Sequence, residues 1–180
     1  MPSSPQELLI DRVDAQDQVI GVIARNDVFA EHANFRVAHV LVFNRAEELL
    51  LQRLSPSRER NPGLWGSSVA AYVHSGETYE ATARRALSEE LGVETDSLVS
   101  VGKDVMTDQG CLKHMGLFVA RSEGPFSPDA GQIAELRVLP VPEVERWLKT
   151  EPEQFTPTFR EVFACFCAPG DRIPRPTSDT

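Results

Sequence analysis

A chain of 180 residues with 41% hydrophobic and 25% charged residues has the make-up of one soluble globular domain with a sizeable core. Its formal net charge of −9 argues against a nucleic-acid polymer or an anionic membrane as partner, but leaves room for a small phosphorylated substrate held through a bound metal ion. No apolar run is long enough to span a membrane, and the N-terminus lacks the basic-then-apolar order of a secretory signal. The cysteines Cys111, Cys165 and Cys167 suit free thiols rather than a disulfide framework or a zinc site, so the expected location is the cytoplasm.

Along the chain, segments 8–13 and 18–24 flank a polar turn and read as a hairpin, 8–24. Segment 26–33 is a weak helix or loop, 37–43 a strongly apolar core strand, and 48–53 a further strand. A loop with two prolines and a glycine covers 55–63, and 64–73 is rich in small and β-branched residues and expected to be extended. Thr78 suits a helix N-cap, Glu80 the first turn, and Gly92 the residue that ends the helix. Between them Ala83, Leu87 and Leu91 repeat every four residues as a buried stripe. Strands follow at 99–106 and 112–120 around Asp108-Gln109-Gly110, then a loop at 122–131 and a strand at 135–141. A short helix spans 142–149, and Thr156-Pro157 opens another whose apolar face is Phe159, Val162, Phe163 and Phe166. The Pro-rich, polar segment 169–180 is expected to be a mobile tail, leaving 1–168 as a single domain. Strands outnumber helices and do not alternate with them, which favours an α+β sandwich over a doubly wound sheet.

The helix ends in a paired carboxylate, Glu89-Glu90. With about 100° per residue, position 86 lies between the two on one edge, one turn earlier. A carboxylate there would complete a cluster suited to magnesium, which takes oxygen ligands and keeps waters and phosphate in its shell. Ala86 occupies that position, and Arg85 stands one turn before Glu89, able to brace it.

The segment 71–93 resembles the Nudix box, G-x5-E-x7-R-E-U-x-E-E-x-G-U with U a bulky aliphatic residue. Glu77, Arg85, Leu87, Glu89, Glu90, Gly92 and Val93 match; Ala71 replaces the first glycine and Ala86 the first glutamate of the R-E pair. The stretches L-L-L-Q-R-L-S-P-S-R (49–58), P-G-L-W-G-S-S-V (62–69) and Q-I-A-E-L-R-V-L (132–139) are similar to the Nudix branch related to isopentenyl-diphosphate isomerase, and so is the leading hairpin. The resemblance implies a Nudix-type α/β/α sandwich around a mixed sheet, and metal-dependent hydrolysis of a nucleoside diphosphate or related small diphosphate compound. It also implies Mg2+ or Mn2+ at Glu89 and Glu90, with Arg85 and Glu77 as catalytic support. The alternative is a Nudix-fold nucleotide-binding or regulatory module without turnover. Near the branch's further acidic position stands Gln132, so Glu123, Asp129 and Glu135 become candidates for the missing carboxylate; Glu135, closest to Gln132, joins the catalytic set. Arg53, Arg58 and Tyr72 are candidate substrate-binding residues. Isomerase activity is not expected, because Ala70 stands where that enzyme has its cysteine. Trp65 and His39 read as core residues, the histidine hydrogen-bonded, and His74 as a surface residue. A monomer or homodimer is compatible with the chain.

Overall fold

The computed structural model describes residues 7–168; the expected tail lies outside them. Among the described residues are nine β-strands and three α-helices: β1 (Leu9–Val13), β2 (Val19–Ala24), β3 (Phe35–Phe43), β4 (Glu48–Leu54), β5 (Trp65–Gly66), β6 (Val69–Tyr72), α1 (Tyr79–Leu91), β7 (Val99–Asp108), β8 (Cys111–Arg121), β9 (Ile133–Pro140), α2 (Val141–Thr150) and α3 (Pro157–Cys167). The segment after β2 is a short 3-10 turn, Arg25–Asp27.

β3 is the axis of a mixed sheet. It runs parallel to β8 from Phe35 opposite Lys113 to Phe43 opposite Arg121. Its other edge is divided: residues 37–40 pair antiparallel with β6, while Val42 and Phe43 pair with β4. Ser68 closes this fork, accepting from the Val42 amide at 2.8 Å and donating to the Leu50 carbonyl. β9 lies along β4, and β7 returns on β8 through a two-residue turn in which Gln109 and Gly110 have φ of 49° and 82°, as a type I′ turn requires.

Strand alternation separates two cores. Ala38, Val40 and Val42 face α1, where Ala83, Ala86, Leu87 and Leu91 meet them. Leu41, Phe43, Leu49 and Leu51 face the opposite way, against Val144 of α2 and Phe159, Val162 and Phe163 of α3. This is the α/β/α sandwich expected from the box. Thr78 caps α1 by accepting from the Ala81 amide at 3.1 Å. Gly92 ends the helix at φ 65°, with the Gly92 and Val93 amides closing onto Ser88 and Leu87 carbonyls. Thr156 caps α3 in the same way, and Trp65 is buried edge-on against Trp147. His39 is buried as expected but only half satisfied. Its Nδ1 meets Ser67 Oγ at 3.0 Å, while Nε2 has no partner among the described residues. Burial and the nearby Lys113 charge push its pKa down to about 3, so the ring is neutral.

β1 and β2 form a separate two-stranded sheet over Phe35 and Val37. Its turn residue Asp17 has φ 64° and is a clamp. Its carboxylate accepts from Arg36 Nε at 2.6 Å, Lys103 Nζ at 3.0 Å and the Tyr79 hydroxyl at 3.0 Å, tying hairpin, sheet and the start of α1 together. Gly116 makes the clamp possible: a Cβ there would fall 2.5 Å from the Tyr79 ring.

Candidate active site

The loop before α1 places Glu77 against the helix that follows it. Arg85 donates to Glu77 through Nε at 2.9 Å and Nη2 at 3.0 Å, a two-pronged pair. Glu77 also accepts from Thr82 Oγ1 at 2.7 Å and the His74 amide at 3.1 Å. Partial burial alone would raise the Glu77 pKa; these donors overcome it and hold it at about 2. Arg85 also donates to the Tyr72 carbonyl at 3.0 Å and reaches Glu89 at 3.4 Å, so one guanidinium fastens β6, the loop and the acidic end of the helix. His74 lies 3.8 Å from Glu77, with its pKa lowered by burial and by the charge of Arg85.

The two neighbouring carboxylates have different surroundings. The Glu89 side chain is 64% exposed, tethered only by Arg85 at 3.4 Å. Glu90 is turned inward over the sheet fork, where Gln52 Nε2 lies 3.5 Å from its Oε2. Burial pushes its pKa up to about 7, against the charge of Arg58, a backbone hydrogen bond from Ala70 and the contact with Gln52. Gln52 on β4 and Ala70 on β6 thus flank Glu90 from the two arms of the fork. Ala86 is 1% exposed in the α1 core, so the place of the missing glutamate is filled by packing.

The structure separates the other candidates. Arg58 lies close enough to influence Glu90. Glu135, a candidate for the missing carboxylate, and Arg53, a candidate substrate-binding residue, do not stand beside Glu90. They sit opposite each other on β4 and β9, on the face that carries Trp65 and α2, away from Gln52 and Glu90. There Glu135 meets Arg53 at 3.8 Å and Arg137 at 2.9 Å, and Arg53 Nε donates to the Gly63 carbonyl at 3.0 Å. Glu123 accepts from the Arg45 amide and caps a distant turn. Asp129 is the nearest of the three replacements: its amide donates to the Glu90 carbonyl at 3.0 Å, while its carboxylate accepts from the Gly131 amide at 2.9 Å. No group of three or more His, Cys, Asp or Glu side chains suited to a metal occurs among the described residues. Tyr72 stacks on Phe35 at 5.4 Å beneath the Arg25 guanidinium, at the base of the hairpin.

Sequence reasoning missed Asp11, Thr82 and Gln52, whose roles come from contacts with other elements or across the loop. Asp11 accepts from Ser75 Oγ at 2.9 Å and the Gly76 amide at 3.3 Å, holding the loop that carries Glu77. Asp11→Ala is expected to free these donors and cost about 1–2 kcal/mol of stability. Amide exchange at Gly76 would rise more than exchange inside α1; equal protection would show that the hairpin does not hold the loop.

The NUDIX domain family model matches residues 33–160. The uncharacterized Nudix hydrolase PA4841 of Pseudomonas aeruginosa is 33% identical over 131 residues, covering 73% of this chain and 78% of that protein. An isopentenyl-diphosphate Delta-isomerase of Burkholderia multivorans is 28% identical over 154 residues, covering 82% and 86%. The crystal structure of DR0079 from Deinococcus radiodurans superposes with a TM-score of 0.76 at 26% identity, covering 88% of this chain and 99% of that one. The isomerase likeness does not extend to a cysteine beside Glu90. Cys111 is buried under the hairpin, and Cys165 and Cys167 lie on α3 across the sheet. The match over most of the chain and the PA4841 likeness agree with the box geometry: the chain belongs to the Nudix family, as a hydrolase of the pyrophosphohydrolase type.

Proposed function

We propose that the protein hydrolyses a nucleoside diphosphate derivative or a related small diphosphate compound, using Mg2+ or Mn2+ held at Glu89 and Glu90, in the cytoplasm. The observation that carries this reading is the inward-turned Glu90 at the sheet fork, with exposed Glu89 beside it and the Arg85–Glu77 pair bracing the helix end. The donor set fits a hard cation: two carboxylates, with the buried Gln52 amide beside Glu90, whose oxygen lacks a partner among the described residues and comes to Glu90 when the amide is turned over. A bound divalent cation supplies charge neutralisation on the diphosphate oxygens and acidifies the attacking water. Arg85 keeps Glu89 at the helix edge, and Arg58 offers positive charge to the phosphate side. Water adds to phosphorus, the bridging P–O bond breaks, and the water proton leaves to solvent or a nearby carboxylate.

Ala86 favours a second reading, a binding module without turnover, because it removes a charged ligand from the helix. ADP ribose is a useful test compound: the NUDIX domain of Shewanella oneidensis NrtR, which shares the fold at 16% identity and a TM-score of 0.54, was solved with it. The purified protein should turn over ADP ribose or another nucleoside diphosphate compound with Mg2+ or Mn2+, lose turnover in EDTA and regain it on adding cation. An inactive wild type that gains turnover as Ala86→Glu would replace the hydrolase reading with the binding one.

A further inference from the structure

Gln52 is 4% exposed in β4, two residues after Leu50 and on the same face, towards α1. Its Nε2 lies 3.5 Å from Glu90 Oε2, the outer limit of a hydrogen bond, and its Oε1 has no partner among the described residues. Buried side-chain oxygens are rarely left unpaired. Turning the amide by half a turn exchanges its two ends and brings the oxygen to Glu90. In one orientation the inner end is a weak donor; in the other it is a bare oxygen facing a carboxylate, an arrangement that only a positive charge between them satisfies.

Hard divalent cations accept neutral amide oxygens together with carboxylates. Neighbouring ligands of an octahedral Mg2+ lie about 3 Å apart, a side-chain rotation from the observed spacing. The helix has no oxygen at residue 86, where Ala86 is enclosed in the same core layer as Leu50. With its amide turned over, Gln52 offers from the sheet an oxygen beside Glu90, where the helix lacks one. We propose that Gln52 is a metal ligand, its Oε1 joining Glu90 on a divalent cation and standing in for the carboxylate that Ala86 does not supply. This rests on the metal reading of Glu89 and Glu90.

The test is Mn2+ binding by calorimetry, at pH 8 and without substrate, on the full chain as wild type, Gln52→Leu, Gln52→Glu and Glu90→Gln. Gln52→Leu should weaken Mn2+ binding by about 10-fold or more. Gln52→Glu should bind at least as tightly as wild type, a recovery that a purely packing role does not produce. Without cation, Gln52→Leu should melt no lower than wild type, since it removes an unpaired buried oxygen. If Gln52→Leu binds Mn2+ like wild type while Glu90→Gln does not, Gln52 is no ligand and the metal reading stands. If wild type binds no Mn2+, the metal reading itself fails. Should Gln52→Leu not fold, Gln52→Glu decides: weaker binding than wild type overturns the proposal.

Discussion

Glu90→Gln is expected to lower diphosphate hydrolysis by roughly 10²–10³-fold, the scale of losing one preorganised electrostatic element of a transition state, while making the cation-free protein more stable at pH 8. The second half follows from the direction of the pKa. Burial raises the Glu90 carboxyl from 4.5 in the unfolded chain to about 7 in the folded one. Between those values the native state holds a proton that the unfolded state has released, so stability falls as pH rises through the window. At pH 8 the full penalty applies, at most about 3 kcal/mol. Glutamine removes it and keeps the shape. Urea unfolding in EDTA at pH 5 and pH 8 measures the effect: wild type should lose stability between the two values and Glu90→Gln much less. Mn2+ should restore stability to wild type at pH 8 and do little for the variant. An active Glu90→Gln enzyme would remove Glu90 from the reaction.

Arg85→Ala is expected to cost about 3 kcal/mol of stability at pH 7, because it leaves the partly buried Glu77 charge without its two-pronged donor and the Tyr72 carbonyl without a partner. Here the sign is opposite. The Glu77 pKa is depressed to about 2, so its contribution is complete above about pH 4.5 and is lost as pH falls towards 2. The stability gap between wild type and Arg85→Ala, measured by urea unfolding across this range, should therefore narrow in acid. Arg85→Lys keeps the charge but not the planar fork and should fall between the two. A gap independent of pH would mean that the guanidinium acts through packing alone. Activity should fall along the same series as Glu89 loses its brace.

The helix of the site was legible in the sequence because its information is local. Thr78 and Gly92 cap it, and Ala83, Leu87 and Leu91 mark its inner face at a fixed period. Spacing shows that Arg85 can reach Glu89; the roles of Arg85 and Glu77 together came from the family resemblance, and their direct pairing only from the fold. The face on which Arg53 and Glu135 stand was not legible, because it depends on the register of β4 against β9, strands distant in sequence. The extended run 64–73 hid the fork: Ser67 and Ser68 divide it into β5 and β6, which pair with different partners. Gln52 carried no signal as a polar residue beside Arg53 near the end of a leucine-rich strand, and only the fold sets it against Glu90.

The family match begins at residue 33, after the hairpin has ended. Yet Asp11 fastens the loop of Glu77, and Asp17 fastens Arg36 and Tyr79 at the start of the acidic helix. A chain trimmed to the shared domain would leave that guanidinium, that hydroxyl and the loop amide of Gly76 unpaired. The loop that carries Glu77 thus takes part of its shape from a segment outside the stretch that matches the family model. A change in the length or turn of this hairpin would alter the hold on that loop while every residue of the box stays the same.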